Sequence, residues 1–266
     1  MIFDRVILDK LCHASLVDGA RLSGATLRVF PHNHLEKLES HLQWAAENIA
    51  PEGRVLIAVE SIYSMDGDVA PLRQIVDLKD RYNATLLVDE AHAVGICGPA
   101  GRGYAAELGV DHRIDLQLGT LSKALGGSGG YLCAEQAWID LLINKARSFI
   151  YSTAPSPATC AIASRAIELI QSHEGDQRRN DLRANATRLR SILNNSESTP
   201  SSIVPWIIGS SEDALKTALE LDQLGILAPA IRYPTVPKNT ARIRFTATAM
   251  HSADQLDHLA NAISKR

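Results

Sequence analysis

Residues 120–127 read Thr-Leu-Ser-Lys-Ala-Leu-Gly-Gly, and this stretch does most to decide the fold. Its lysine, Lys123, follows an apolar strand, with a hydroxyl residue directly before it and glycines behind it. Upstream, Asp89 ends a second apolar strand, Thr85–Asp89, at a distance typical of one strand–helix–strand repeat. The spacing therefore predicts two parallel strands whose carboxyl ends present an acid and a lysine.

An acid and a lysine at the ends of two parallel strands suit pyridoxal 5'-phosphate (PLP). In this interpretation Lys123 holds the cofactor as a Schiff base. Asp89 keeps the pyridine nitrogen protonated, so that the ring can take up electrons. The alternatives are an ordinary surface lysine and an aspartate that caps the helix after its strand.

The composition is ordinary for a globular protein and excludes several function classes. Of the 266 residues, 45% are hydrophobic and 21% are charged, with a formal net charge of −3. No basic block favours nucleic acid or an anionic membrane surface. No apolar run approaches the roughly 20 residues that span a bilayer, and the first residues do not form a signal peptide. We therefore expect a cytoplasmic protein with no nucleic-acid or membrane partner.

The sequence shows no pattern typical of metal ligands. The cysteines are far apart and form no CxxC pair, which favours free thiols in a reducing cytosol. They are Cys12, Cys97, Cys133 and Cys160. His32 and His34 precede a predicted helix with no third ligand nearby, so a polar turn explains them better than a metal site.

Short apolar runs alternate with helical patterns through the first two-thirds of the chain. Near-continuous apolar strands of this kind are typical of a parallel sheet buried on both faces. The predicted strands are Val6–Asp9, Leu27–Phe30, Val55–Glu60, Thr85–Asp89, Asp115–Gly119 and Gly130–Ala134. The predicted helices between them are Leu35–Ile49, Leu72–Tyr82 and Gln136–Arg147. The alternation predicts an α/β layered fold.

The pattern changes from about Pro157. The predicted helices that follow are Pro157–His173, Asp176–Asn194, Ser211–Leu224 and Ser252–Ser264. Two further strands are predicted at Ile203–Ile208 and Ile243–Thr248. We therefore predict a large domain over residues 1–170 and a smaller α+β domain over residues 171–266.

Seven blocks of sequence carry a family resemblance. They are Cys12–Ala25, Ser64–Leu72, Val88–Gly95, Gly98–Gly103, Gly119–Gly127, Phe149–Ala154 and Ala230–Pro237. In this order they resemble the α-oxoamine synthases, which are PLP-dependent enzymes of aminotransferase fold type I. The resemblance implies a large domain with a mostly parallel sheet, a smaller α+β C-terminal domain, and assembly as a homodimer.

The front of the sequence departs from the family pattern. Family members carry a further segment ahead of the block that contains His13. That segment includes a glycine-rich turn at a helix N-terminus, whose backbone N–H groups hold the cofactor phosphate. We therefore expect a large domain that lacks its N-terminal part, as in a fragment, a reading frame with a wrongly assigned start, or one half of a split protein.

The resemblance implies catalytic roles for four residues around the cofactor ring. Lys123 carries PLP and then serves as the base at the substrate Cα atom. Asp89 pairs with the pyridinium nitrogen, and His92 contacts the phenolic oxygen. His13 stacks on the pyridine face. A structural histidine is the alternative for His92.

Hydroxyl residues supply further cofactor contacts in this resemblance. Ser64 lines the cofactor site, and Thr120 and Ser122 flank the lysine. Ser152 and Thr153 reach a phosphate, that of the partner subunit in a homodimer. The alternatives are a turn-capping serine at position 64 and hydroxyls at 152 and 153 that cap the following helix.

Two arginines are candidates for the carboxylate of an amino-acid substrate. Arg232 lies in an Ile-Arg-Tyr-Pro-Thr loop and would bind the carboxylate with its planar guanidinium group. Arg244 lies in a strand pattern and could serve instead. In that case Arg232 would be an ordinary surface arginine.

Within the family, the blocks are most similar to the branch of biotin biosynthesis. This implies condensation of L-alanine with a pimeloyl thioester of coenzyme A or acyl carrier protein, with loss of carbon dioxide, to give 8-amino-7-oxononanoate. Ser122 favours this branch over glycine C-acetyltransferase and 5-aminolevulinate synthase, for which a glycine is expected before the lysine. An inactive truncated remnant is the alternative of a different class.

Overall fold

The computed structural model describes residues 2–264 and divides into two compact units. One unit comprises Met1–Ile62 and Val69–Ser172, and the other comprises Tyr63–Asp68 and His173–Arg266. The short segment Tyr63–Asp68 therefore belongs with the C-terminal residues. The outer ends of the two predicted domains, residues 1 and 265–266, lie outside the described residues.

The first unit alternates strands and helices, as its apolar runs predict. Its strands are β1 (Arg5–Asp9), β2 (Thr26–Phe30), β3 (Val55–Glu60), β4 (Thr85–Asp89), β5 (Leu116–Thr120) and β6 (Gly130–Ala134). Its helices are α1 (Ala14–Leu22), α2 (Leu35–Glu47), α3 (Leu72–Arg81), α4 (Tyr104–Glu107), α5 (Gln136–Lys145), α6 (Arg147–Ile150) and α7 (Pro157–Gln171).

Within residues 2–264, the strands of the first unit form one sheet in the order β2-β1-β3-β4-β5-β6. All neighbouring strands are parallel except β5 and β6, which are antiparallel. Val6, Ile7 and Leu8 are each at most 3% exposed, so β1 is covered on both faces, as its unbroken apolar run predicts. The α/β fold with a mostly parallel sheet is thus confirmed.

The parallel strands determine where a site can form. Because β1, β3, β4 and β5 run in the same direction, their last residues lie along one edge of the sheet. Those residues are Asp9, Glu60, Asp89 and Thr120. Polar side chains from four strands are therefore collected at the carboxyl edge.

The second unit is built on an antiparallel sheet. Its elements are α8 (His173–Ile192), β7 (Ile203–Gly209), α9 (Ser211–Gln223), β8 (Ala230–Ile231), β9 (Ala241–Thr246) and α10 (Ala253–Ser264). The strand order is β7-β9-β8. Ile203, Val204 and Ile243 are at most 2% exposed and form part of its core.

Several details differ from the sequence predictions, and four of them have a clear cause or extent. β6 runs antiparallel because a glycine-rich turn, rather than a crossover helix, joins it to β5. α1 was not predicted, since Gly19 interrupts its helical pattern. β8 was not predicted either, because two residues are too short to show a period. β9 begins at Ala241 and ends at Thr246, two residues earlier at each end than expected.

Among residues 2–264, no helix combines the length and the apolar character that crossing a lipid bilayer would require.

Candidate cofactor and active site

The predicted acid and the predicted lysine lie at the same edge of the first unit's sheet. Asp89 is the last residue of β4, and its register partner on β5 is Leu118. Lys123 follows the end of β5 in a turn that is closed by a hydrogen bond from the Gly126 N–H to the Lys123 carbonyl oxygen. The neighbouring parallel strands thus bring both residues to one edge, as their spacing predicts.

Lys123 contacts the predicted histidine directly. Its Nζ atom lies 2.9 Å from Nε2 of His92. The Lys123 side chain is exposed, and that of His92 is half-buried. The geometry brings together an amine and an imidazole that are separated by 31 positions in the sequence.

The carboxyl group of Asp89 is largely buried from solvent. The residue is 6% exposed, and its Oδ1 accepts the backbone N–H of Ala91 at 2.8 Å. Burial raises the pKa of Asp89, while the Ala91 N–H and the positive charges of Lys123 and His13 lower it. Burial is the strongest of these influences, so the carboxylate would be stabilised by a further positive group at this place.

These observations fit the ring end of PLP. A protonated ring nitrogen is the kind of positive group that the buried Asp89 carboxylate lacks. The exposed amine of Lys123 is available for a covalent link to an aldehyde. The donor set is therefore consistent with PLP.

The hydroxyls that flank Lys123 pair with each other. The Oγ1 atom of Thr120 lies 2.8 Å from Oγ of Ser122, and it accepts the Ser122 backbone N–H at 3.3 Å. The Thr120 hydroxyl also donates to the Gly129 carbonyl oxygen at 3.1 Å. These contacts hold the turn that carries Lys123 in a single conformation.

His13 is the N-cap of α1. Its Nδ1 accepts the backbone N–H of Ser15 at 3.3 Å and lies 2.8 Å from the Ser15 hydroxyl. The His13 side chain is exposed. His13 is one of the groups that lower the pKa of the Asp89 carboxyl group. The structure thus brings His13 into the electrostatic neighbourhood of the strand-end residues.

Ser152 and Thr153 are exposed and lie between α6 and α7. The N-cap of α7 is Ser156, whose hydroxyl oxygen accepts the Thr159 N–H at 3.2 Å. The alternative in which Ser152 or Thr153 caps this helix is therefore wrong. Their contact with a phosphate stays a prediction.

The remaining predicted residues belong to the second unit. Ser64 lies in the segment Tyr63–Asp68, and its carbonyl oxygen accepts a hydrogen bond from Nε of Arg244 at 2.6 Å. On the same strand, the buried Arg242 forms an ion pair with Asp66. Two arginines of β9 therefore hold the Tyr63–Asp68 segment, and part of the Arg244 guanidinium group is already used.

Arg232 follows β8 and is exposed. Its carbonyl oxygen accepts the Thr235 N–H at 3.0 Å, which closes a turn, and the Tyr233–Pro234 peptide bond is cis. An exposed guanidinium group on a turn can bind a carboxylate. The roles of Ser64, Arg232 and Arg244 toward a cofactor or substrate stay predictions.

Two buried glutamates at the sheet edge were missed by the sequence analysis. Glu60 ends β3 and is the register partner of Asp89, and Glu90 directly follows β4. Each is 2% exposed. A signal existed, because Asp9, Glu60 and Asp89 each end a buried parallel strand and such ends meet at one edge. Only Asp89, the third of these acids, has a role predicted from the sequence.

Glu90 is fully engaged by the protein. Its Oε2 accepts the Ser61 hydroxyl at 2.8 Å and the Tyr104 N–H at 2.9 Å, and its Oε1 accepts the Ala105 N–H at 2.8 Å. Burial raises the pKa of Glu90, and these three donors lower it. The side chain thereby ties the end of β4 to the start of α4.

A cavity of about 660 Å³ lies in the first unit beside β5, β6 and α7. Its lining is mainly apolar, with polar groups from Glu90, Gln117 and Tyr131. Lys123 and Asp89 do not line it. The cavity is therefore separate from the candidate cofactor site, and we assign it no ligand.

The histidines and cysteines outside this site have structural surroundings. His32 Nδ1 lies 2.9 Å from Oδ1 of Asp9, and Nδ1 of His34 accepts the Lys37 N–H at the start of α2. Cys12 donates to the Ala58 carbonyl oxygen. In the part of the chain that the structure describes, no group of three or more His, Cys, Asp or Glu side chains is placed to hold a metal ion.

The chain is similar to proteins of a known family. The family model for class I and II aminotransferases matches residues 1–263. The chain belongs to this family. A Bacillus cereus (strain Q1) protein with the provisional name 8-amino-7-oxononanoate synthase is 45% identical over 257 residues, and a similarly named Bacillus anthracis protein is 43% identical over 269 residues. These matches cover 95% and 97% of this chain, respectively.

Solved structures give the same grouping. A serine palmitoyltransferase with PLP superimposes with a TM-score of 0.92 at 30% identity, and the match covers 98% of this chain and 66% of that one. The 8-amino-7-oxononanoate synthase of Francisella tularensis superimposes with a TM-score of 0.82 at 27% identity, over 98% and 75% of the two chains. Within the family, this chain thus belongs to the PLP-dependent α-oxoamine synthase group, as its sequence blocks indicate.

The chain is shorter than these relatives. It spans 64% of the length of the Bacillus cereus (strain Q1) protein. The activity, substrates and partners of the longer relatives are therefore only proposals for this chain.

Proposed function

We propose that this chain takes part in a PLP-dependent, decarboxylating condensation of L-alanine with a pimeloyl thioester. The products would be 8-amino-7-oxononanoate, carbon dioxide and the free thiol of coenzyme A or acyl carrier protein. The observation that carries the proposal is the contact between Lys123 and His92 beside the buried carboxyl group of Asp89. Relatives at 45% identity with the corresponding name support the choice of reaction.

Lys123 and His92 act on the proton of the substrate. When bound, PLP supplies an electron sink for the negative charge that develops at the amino acid's α-carbon. Nζ of Lys123 removes the α-proton and returns a proton later in the cycle. His92, whose Nε2 lies 2.9 Å from Nζ of Lys123, keeps this amine directed at the α-proton. The Thr120–Ser122 hydroxyl pair fixes the turn from which Lys123 reaches.

Asp89 and His13 hold the ring end of the site. The Asp89 carboxylate, fixed by the Ala91 N–H, would bind a protonated ring nitrogen and keep it protonated. His13 would stack on the ring face, and Ser64 would line the site. Ser152 and Thr153 would reach a phosphate of the partner subunit in a homodimer. The homodimer and the cytoplasmic location are part of this proposal.

Arg232 is our candidate for the carboxylate of L-alanine. Its guanidinium group is exposed, whereas Arg244 already donates to the Ser64 carbonyl oxygen at 2.6 Å. A planar guanidinium group binds a carboxylate with two parallel hydrogen bonds. This difference between the two arginines favours Arg232 over Arg244.

A second amino acid has a specific observation in its favour. The structures that superimpose with TM-scores of 0.91 to 0.92 are serine palmitoyltransferases, so L-serine is a candidate in place of L-alanine. Their identity to this chain is 29–30%, against 43–45% for relatives named after the alanine-using reaction. We therefore favour L-alanine.

The test of the proposed function is a borohydride trap with a substrate comparison. Protein incubated with PLP and reduced with borohydride should carry the cofactor on the peptide that contains Lys123, and Lys123→Ala should carry none. Lys145→Ala, which removes an exposed lysine at the end of α5, is the matched control. A tag on another lysine contradicts the assignment. Release of carbon dioxide with L-serine or glycine, but not with L-alanine, contradicts the proposed substrate.

A further inference from the structure

Glu60 is a buried carboxyl group to which the reaction above gives no part. It ends β3, and the register of the sheet pairs it with Asp89 on β4. Register partners on parallel strands project to the same face of a sheet. Glu60 is 2% exposed, and its Oε1 has no hydrogen-bond partner among residues 2–264. Two carboxyl groups therefore share one buried position at the carboxyl edge.

The charged groups around Glu60 favour its neutral form. Asp89 faces it from β4, Asp9 from the end of β1, Cys12 from the loop after β1, and Lys123 from the loop after β5. Burial, followed by the charge of Asp89, raises the pKa of Glu60 to about 8. The positive charge of Lys123 acts in the opposite direction, but it is shared with Asp89. Burial and the charge of Asp89 therefore both favour the protonated form of Glu60.

Glu60 also faces the backbone of a second predicted cofactor residue. The backbone N–H of His13 is close enough to the Glu60 carboxyl group to lower its pKa. His13 is the N-cap of α1, where its ring accepts the Ser15 N–H. The Glu60 carboxyl group therefore faces the backbone from which the His13 ring projects.

We propose that Glu60 is a positioning residue of the cofactor site and that it works as a neutral acid. One carboxyl oxygen fixes the backbone of His13, while the proton on Glu60 leaves Asp89 as the single carboxylate of the pair. Two adjacent carboxyl groups cannot both ionise without mutual repulsion, so a neutral Glu60 allows Asp89 to stay charged. The link to PLP rests on the proposed function, whereas the proton on Glu60 and its contact with His13 do not.

The first arm of the test measures unfolding of the cofactor-free protein against pH. Glu60→Gln keeps the shape of a neutral acid but cannot ionise. Because the folded pKa of about 8 lies above the ordinary 4.5, folding takes up a proton between these values and stability falls as pH rises through them. The unfolding constant of the wild type should therefore rise relative to that of Glu60→Gln by up to about tenfold per pH unit.

Urea unfolding from pH 5 to pH 8.5 decides this arm. Glu47→Gln, which removes an exposed carboxyl group on α2, is the matched control and should keep the wild-type slope. Parallel curves for the wild type and Glu60→Gln would show that Glu60 is ionised in the folded protein and would overturn the proposal.

The second arm measures hydrogen exchange at the His13 amide. Glu60→Ala removes the acceptor, so this amide should exchange at least about tenfold faster than in the wild type, and Glu60→Gln should restore most of the protection because its amide oxygen can still accept. Unchanged protection in Glu60→Ala would show that Glu60 does not position His13.

The third arm uses the PLP-loaded protein. Absorbance of bound PLP, titrated with pH, should show a transition near pH 8 in the wild type that Glu60→Gln lacks, because loss of the Glu60 proton adds a negative charge beside Asp89. The same transition in both proteins would contradict a role at the ring. If neither protein binds PLP, the proposed function fails, while the first two arms still decide the state and the contact of Glu60.

Discussion

Glu60 and Glu90 are both 2% exposed and lie at the ends of neighbouring strands, yet their surroundings differ completely. Glu90 accepts three hydrogen bonds, from Ser61, Tyr104 and Ala105. For Glu60, the nearby His13 N–H lowers the pKa, and Oε1 has no hydrogen-bond partner among the described residues. Since successive strand residues point to opposite faces, Glu60 and Asp89 share one face and Glu90 points to the other.

This difference distinguishes an acid with a structural role, Glu90, from a pair of acids at a candidate ligand site, Glu60 and Asp89. On the Glu90 face, three fixed donors bind the two carboxyl oxygens, so no further hydrogen-bond donor is required there, even though burial still raises the pKa of Glu90. On the Asp89 face, burial raises the pKa of both Glu60 and Asp89, and few donors compensate. An under-compensated acid pair next to the exposed amine of Lys123 is the arrangement that a cationic ligand would complete.

Glu90→Gln should give the largest effect, and the effect should be on folding. One oxygen becomes an NH2 group, so a backbone N–H such as that of Ala105 loses its acceptor, and the two remaining bonds lose their charge. We expect a loss of about 3–5 kcal/mol in the free energy of unfolding, counted from about 1–3 kcal/mol for an unsatisfied buried donor and a weakening of the other two bonds. Urea unfolding measures it.

The comparison of Glu90 with Glu60 predicts that this loss in the free energy of unfolding comes from the three donors that bind Glu90. Glu107→Gln, a change on α4 that lies near the same loop but not against these three donors, is the control and should cost clearly less. If Glu90→Gln were as stable as the wild type, the hydrogen bonds from Tyr104 and Ala105 would not be what holds α4 to β4, and the contrast with Glu60 would lose its basis.

Asp89→Asn should show the opposite pattern. Its amide oxygen can still accept the Ala91 N–H, so the free energy of unfolding should change little. The negative charge beside the ring is lost, and turnover of the PLP-loaded protein should fall by about 10²–10³-fold, the range seen when one electrostatic contact to a transition state is removed. Steady-state release of carbon dioxide from L-alanine, beside urea unfolding, separates the two effects.

The outcome that contradicts this prediction is near-normal turnover in Asp89→Asn. Asp89 would then be a turn residue that binds Ala91 and nothing else, and its face would be as structural as that of Glu90. A large loss of folding stability with turnover per folded molecule unchanged would lead to the same conclusion.

The local signals in the sequence predicted the sheet well. The bounds of β3, β4 and β6 agree with the expected ones, because an acidic residue stands at or directly after the end of each short apolar run: Glu60, Asp89 and Glu135. The same reasoning placed Asp89 and Lys123 at one edge. It failed for the direction of β6, since an apolar run has the same period in parallel and antiparallel strands.

The two glutamates were missed because their burial is not a local property. Glu60 ends a strand whose bounds were predicted correctly, but His13, whose backbone N–H acts on its pKa, lies 47 positions earlier at the start of α1. Glu90 becomes an engaged acid only when α4 brings donors from 14 and 15 positions later. A single sequence shows that an acid follows a strand, but not which backbone amides will reach it.

Gly103→Ala should give the smallest effect and tests the Glu90 face from the other side. Gly103 has φ of +108°, and an added Cβ atom would lie 2.7 Å from Oε2 of Glu90. Both the backbone conformation and the close approach favour glycine. We expect a loss of about 1–3 kcal/mol in the free energy of unfolding, the usual cost of one strained backbone conformation. Gly109→Ala is the matched control, because Gly109 has φ of +69° and an added Cβ atom would meet nothing within 4 Å.

A double-mutant cycle separates the two causes. If the clash with the carboxyl group matters, Gly103→Ala should cost less in a Glu90→Ala background than in the wild type, because the atom it meets has been removed. If backbone strain alone matters, the two costs should be equal. Equal costs would mean that the loop before α4 is not shaped around Glu90. The three hydrogen bonds would then follow from the loop's own conformation, and the distinction between Glu90 and Glu60 would rest on their donors alone.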